Sequence, residues 1–224
     1  MSQQQNLALG IPTMFERSQD MDIHLADLLM GCALPARKLG QKNFSDWMLA
    51  EVRGYQPDDP LPPYRLCDNV HLLAWMPGSH WMQAPISDEL EHELMHMGLR
   101  EGISTIEDAF IKHKGKGGVR IDLGDEQQAE LRKRANLDTR LALAMPSEAY
   151  ARVLASTRVM IELWSKDLLD QGIVSCQNAS SDILDKARAL DERFDQYPER
   201  TRERADEIIA EINRKDGFFK RLFS

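Results

Sequence analysis

Apolar positions follow a helical spacing at first, then alternate, then return to helical spacing, and each change predicts a different element. Leu25, Leu28, Leu29 and Cys32 recur at three- and four-residue intervals. The stripe continues to Leu39 and stops at Gly40, a residue suited to a left-handed cap. Pro35 lies inside this run and is expected to kink or divide the helix, because it lacks an N–H and crowds the preceding turn. Phe44, Trp47, Met48 and Val52 mark a second helix that ends at Gly54, so the two read as an antiparallel pair. QPDDPLPPYR then forbids regular structure and forces a stiff, extended crossing. The segments YRLCDNVHLLAW and HWMQAPI flank MPGS as a hairpin, and Val119–Leu123 offers a third strand. Helix returns from Asp125, most clearly in the stripe Tyr150, Val153, Leu154, Thr157, Ile161, Trp164 and Leu168, with Ser147 as its N-cap and Gly172 after its end.

The two ends of the chain read differently from its middle. Residues 1–19 are Gln-rich and weakly patterned, which predicts a flexible lead-in. Residues 175–224 carry dense mixed charge around thin apolar seams. Ile183, Ala187, Leu190, Phe194 and Tyr197 form one seam that breaks at Pro198, and Ala205, Ile208, Ile209 and Ile212 start another. So narrow a seam must be buried against another element or another copy. This charged helical arm is therefore the place to expect a protein partner or self-association, and its amphipathic tail GFFKRLF suits a partner groove or a membrane surface, though it is too short to anchor alone. The fold class expected is α+β and mostly helical, with a small antiparallel sheet packed against helices, followed by the arm.

Composition narrows the function classes. The 224-residue chain is 42% hydrophobic and 29% charged, which is ordinary for a folded protein. A net charge of −8 argues against a broad electrostatic grip on nucleic acid and leaves room only for a local patch. No stretch matches a secretion signal or a membrane span, so a cytoplasmic protein is expected. Cys32, Cys67 and Cys176 are scattered and odd in number, which predicts reduced thiols and no disulfide framework.

The sharpest chemical motif is His92-Glu93-Leu94-Met95-His96, which fits H-E-x-x-H, two histidines one helical turn apart with a glutamate as general base. Its acidic flank and the absence of a distinctive third ligand among Glu101, Glu107, Asp108 and His113 favour a charged, surface-facing helix instead. The run from Lys112 to Gly118, with Arg120, has glycines and lysines that favour anions, but it lacks the P-loop pattern and reads as a turn. Trp75 and Trp81 bracket the hairpin turn, either as a cross-strand pair or as an aromatic patch for a ligand. No cofactor is indicated.

From ADLLMGCALPARKLG through DDPLPPYR the chain resembles the AbiTii family of bacterial abortive-infection and related phage-defence proteins. The residues that carry the resemblance are Arg37, Lys38, Leu39, Gly40, Phe44, Trp47, Glu51, Gly54, Tyr55, Asp58, Asp59, Leu61, Pro62, Tyr64 and Arg65. The segments ISTIEDAF, KGKGGVRIDL and VLASTRVMIELWSKDLLDQGI extend it over residues 20–174, with Pro35 and Val52-Arg53 as departures. The resemblance implies an antiviral protein and supplies no catalytic residues. Gly54-Tyr55 and Tyr64-Arg65 bracket the proline loop, so Arg65 can pair with Glu51, Asp58 or Asp59 and fix the crossing. Alternatively Glu51, Tyr55, Tyr64 and Arg65 line a pocket for a phosphate or carboxylate. Three functions follow from these readings: a sensor or effector working through contacts, a hydrolase (zinc peptidase or nuclease), and a self-associating scaffold.

Overall fold

The structure is a computed structural model that describes residues 10–67, 69–78, 80–94, 97–113 and 118–222, with the backbone alone for residues 213 and 215–222. Helices predominate: α1 (Ile11–Gln19), α2 (Leu25–Lys38), α3 (Lys42–Arg53), α4 (Asp88–Leu94), α5 (Ile103–His113), α6 (Asp125–Ala135), α7 (Ser147–Asp170), α8 (Ser181–Asp191), α9 (Tyr197–Arg200) and α10 (Arg202–Leu222). The strands β1 (His71–Trp75), β2 (Trp81–Gln83), β3 (Gly118–Asp122) and β4 (Leu141–Pro146) form one antiparallel sheet in the order β2-β1-β4-β3. The chain is thus α+β and mostly helical, as its pattern predicts.

Helix α7 is the axis of the fold. Every residue from Ala155 to Ile161 is buried, which an amphipathic surface helix would not allow. It packs against α1, α5, α10 and the strands β3 and β4. Near its C-terminal end the Trp164 ring stacks on Phe44 with centroids 4.2 Å apart. The Trp164 indole donates to Gln41 Oε1 at 2.7 Å, and Gln41 Nε2 donates to the Ala187 carbonyl at 3.1 Å, so one buried amide joins α7, the α2–α3 turn and α8.

Several expectations are corrected. Residues 11–19 are helical, with Ile11, Met14 and Ser18 buried on one face, the Ile11 amide bonded to the Val174 carbonyl at 3.1 Å and Met14 Sδ 3.7 Å from Cys32 Sγ. Three residues at helical spacing suffice to dock so short a helix, and residues 1–9 lie outside the described residues. Pro35 does not divide α2, which runs on to Lys38 with Pro35 buried inside it and capped beyond by Gly40 at φ +70°. Ser147 is the first helical residue of α7, and Pro146 occupies the cap position without a side-chain bond. β4 interrupts the stretch read as helix from Asp125. It is the inner strand between β1 and β3, buried on both faces except at Ala144 and Pro146, so alternation is lost.

The arm does not stand apart. Ala187, Leu190, Phe194 and Tyr197 are buried in the main core, and both carboxylate oxygens of Asp191 accept from the amides that open α3, Asn43 N at 2.8 Å and Phe44 N at 2.9 Å. Ala205, Ile208 and Ile209 of α10 form a second small core with Ala151, Ala155 and Val159 of α7. The seams that needed a partner find one within the same chain.

Candidate functional site

The end of α3, the proline loop and the start of α5 converge on Glu51. Helix α3 ends because Gly54 takes φ +87°, and a Cβ there would lie 2.7 Å from the Arg100 carbonyl. That close approach lets the Tyr55 amide donate to the Arg100 carbonyl at 2.7 Å. The Arg100 guanidinium donates to the carbonyls of Gln56 and Asp59, which pins the loop from the other side. The chain then turns through a 3₁₀ segment at Pro63–Arg65, and the Leu99 amide donates to the Arg65 carbonyl at 2.9 Å. Backbone geometry alone thus carries Arg65 back to Glu51.

All four residues singled out from the sequence meet here. Glu51 Oε1 accepts from the hydroxyls of Tyr55 at 2.8 Å and Tyr64 at 2.9 Å and from Arg65 Nε at 3.1 Å. Glu51 Oε2 accepts from Arg65 Nη2 at 2.6 Å and from Thr157 Oγ1 at 3.3 Å. Arg65 Nη1 donates to the carbonyls of Leu99 at 2.7 Å and Glu101 at 2.9 Å, and its Cζ lies 4.8 Å from the centre of the Tyr55 ring. The Trp47 indole donates to the Tyr64 oxygen at 2.7 Å. Glu51 and Arg65 are both 0% exposed.

Electrostatics follow from that enclosure. Burial disfavours the Arg65 charge, but hydrogen bonding and proximity to Glu51 outweigh it and hold the guanidinium above its ordinary value. Burial and the adjacent carboxylate push the Tyr55 and Tyr64 phenols well up, so both remain donors. An anionic ligand would have to displace Glu51 to reach Arg65. Tyr55 is the half-buried member of the network, and the buried Tyr64 lines a crevice of about 310 Å³ with Arg152, Ser156, Pro198 and Arg202. Sequence reading missed Thr157, taken as a stripe residue, and the Leu99 and Glu101 carbonyls, which leave no side-chain signal.

The other motifs fall elsewhere. On α4, Leu90 and Leu94 are buried, whereas His92 and Glu93 are exposed, and the Glu93 carboxylate is gripped by the Arg134 guanidinium. His96 lies outside the described residues. Glu107 accepts from the Leu25 amide at 3.1 Å and approaches His24 Nδ1 at 3.4 Å. No group of three His, Cys, Asp or Glu residues suited to a metal occurs among the described residues. Of the glycine-lysine run, residues 114–117 lie outside the described residues. Cys32 and Cys67 are buried thiols outside any disulfide, and burial pushes Cys32 up to about 12. Trp75 and Trp81 face each other across β1 and β2 with ring centres 5.6 Å apart. No helix among the described residues is long and apolar enough to cross a membrane.

Comparison with curated proteins and with solved structures returns no match. Comparison with family models does: the AbiTii model matches residues 12–189, reaching from the docked helix α1 through the Glu51 network and α7 into α8. That match covers most of the chain, which therefore belongs to the AbiTii family, whose members are abortive-infection phage-defence proteins.

Proposed function

We propose that this defence protein acts as a sensor or effector through protein contacts, with the Glu51–Arg65 network as the scaffold that holds the contacting surfaces in place. The observation that carries the reading is an exposed apolar face on α2 and α3. Met30, Leu34 and Leu49 are 57%, 50% and 53% exposed, and a groove of about 410 Å³ between the helices is lined by Ala33, Leu34, Arg37, Ser45, Met48 and Leu49. Contiguous exposed apolar side chains of this kind mark contact sites more often than solvated surface. The groove lies between α2 and α3 and is lined by Arg37, with Lys38 and Lys42 exposed on the same two helices and Lys42 paired with Asp46, so the occupant proposed is an apolar helix of a partner protein with acidic flanks. A cytoplasmic location accords with this reading.

The experiment is a plaque assay in cells expressing the Leu34→Glu/Leu49→Glu variant. Both positions are half-exposed, so the purified variant should melt like the parent. Loss of protection with unchanged melting supports the contact reading, and full protection overturns it. A variant that changes mass in light scattering but still protects would instead identify the face as a self-association surface. Truncation after Gly172, the obvious way to test a scaffold role for the arm, would also remove the Asp191 cap on α3 and the α10 seam, so point variants are the cleaner probe.

A further inference from the structure

We propose that the outer face of the sheet, at its exposed Trp75 end, is a binding platform for single-stranded nucleic acid. The register puts Leu72, Ala74, Leu141, Leu143, Met145 and Val119 on the face that joins the core. The opposite face carries His71, Leu73 and Trp75 of β1, Trp81 and Gln83 of β2, Arg120 and Asp122 of β3, and from β4 only the small residues Ala142 and Ala144, with the Glu91 carboxylate against His71 and Gln83. β2 and β3 are the two edges of the sheet, yet the Arg120 guanidinium reaches to 5.1 Å from the centre of the Trp81 ring. This contact must cross β4 and β1; on β4 the alanines leave room for it, whereas β1 presents Leu73. Ala142, on the outer face, is 0% exposed, in keeping with side chains lying across it.

Trp75 lies at the open end of this layer and is 36% exposed. Its position is fixed by its neighbours. The Trp75 amide donates to the Arg140 carbonyl at 2.8 Å, and Thr139 Oγ1 donates to the Trp75 carbonyl at 2.5 Å. The same link places Arg140 beside the pair, with its guanidinium 5.9 Å from the centre of the Trp81 ring. Both guanidiniums thus lie over the Trp81 ring, and Trp75, packed against it at an interplanar angle of 61°, is the exposed aromatic ring beside the two cations.

That combination selects the ligand. Bases stack on an aromatic face irrespective of sequence, and arginines beside it take the phosphates. Asp122 faces Arg120 at 3.3 Å, so one of the two cations is partly offset and Arg140 is the freer phosphate contact. A chain of net charge −8 repels a long polyanion overall, which favours a single strand laid locally on Trp75 over a duplex that needs a wide basic surface. The platform lies on a different element set from the α2–α3 face, so the two ideas can fail separately.

The test uses the full chain with fluorescently labelled oligothymidine and oligouridine of about one dozen nucleotides, read by anisotropy. Saturable binding is expected, weakened by roughly tenfold or more in Trp75→Leu, retained in Trp75→Phe, and reduced less in Arg140→Gln. Replacing one phosphate contact should lower the slope of log affinity against log salt by about 0.7. Circular dichroism and melting confirm that each variant is folded, and Leu34→Glu/Leu49→Glu should bind as the parent does. Lack of binding at about 100 µM strand, the weak end of nonspecific association, would overturn the proposal. Equal binding by Trp75→Leu, or equal competition by duplex DNA or heparin, would overturn it as well. Loss of phage protection in Trp75→Leu without any nucleic-acid binding would overturn it in favour of a protein partner on the same face.

Discussion

Arg65 and Arg158 are 0% and 4% exposed, yet only Arg65 has a carboxylate against it. Arg158 donates instead to three backbone carbonyls, Asp20 at 2.7 Å, Ile23 at 2.6 Å and Ser18 at 3.4 Å, in the link between α1 and α2. Their acidities diverge accordingly. Burial lowers Arg158, with the charges of Glu107 and Asp20 offsetting only part of the effect, whereas Glu51 lifts Arg65 despite its burial. Surroundings explain why both are tolerated. Arg158 lines an open crevice of about 410 Å³ beside Ile23, His24, Phe110 and Leu154, while Arg65 lies inside the network that seals it. A buried guanidinium near water can be held by carbonyl dipoles alone, but one sealed from water needs an opposite charge.

The hardest way to break this comparison is Glu51→Gln. The amide nearly keeps the shape but leaves Arg65 buried without its counter-charge, and a loss of about 3–5 kcal/mol is expected in urea denaturation. A loss below about 1 kcal/mol would mean that the Leu99 and Glu101 carbonyls suffice, as carbonyls do for Arg158. Arg65→Lys should cost less, about 2–3 kcal/mol, because an ammonium keeps the charge but cannot span Glu51 and both carbonyls at once. If Arg65→Lys melts like the parent but loses phage protection, Arg65 holds a ligand and the scaffold reading fails. Arg158→Met should cost least of the three, about 1–2 kcal/mol, because the crevice lets water reach the released carbonyls. Amide exchange should quicken mainly in residues 18–23. Should Arg158→Met rival Glu51→Gln, the distinction between the two sites would collapse.

Much of the Glu51 site was legible because its cause is local. The proline loop forces a crossing between Gly54 and Tyr64, and Glu51 and Arg65 stand at the ends of the elements it joins, so their pairing could be anticipated from spacing and residue type. Arg158 carried no such signal. It sits among apolar residues in α7, and its acceptors are backbone groups some 140 positions earlier, of which only Ser18 falls in the segment read as a lead-in. The same holds for Asp191, whose role as cap for α3 spans 148 positions to Asn43 and leaves no periodic trace. β4 was hidden for the opposite reason. LALAMP is nearly all apolar because the strand is covered on both faces, and an unbroken apolar run does not separate strand from helix.

The smallest effect is silent at neutral pH and shows how tightly the Arg65 site is closed. Tyr55 and Tyr64 have raised phenols, first by burial and then by the charge of Glu51. Below about pH 10 the folded and unfolded chains both keep these protons, so pH has no leverage on this part of the stability. Above that value the unfolded chain releases them and the folded chain does not, so stability falls as pH rises toward the folded values. Tyr55→Phe removes one such group and should flatten the alkaline decline by up to about 1.4 kcal/mol per pH unit, read from urea midpoints. Absorbance at the phenolate band should stay low in the folded parent through the range where free tyrosine ionises, because Tyr150 and Tyr197 are raised by burial as well. Arg158 has no phenol among its hydrogen-bond partners, so Arg158→Met should leave that alkaline slope unchanged. A phenolate signal that instead rises as in free tyrosine, before unfolding begins, would mean that water enters the Glu51 network, and the sealed site would then resemble the open one.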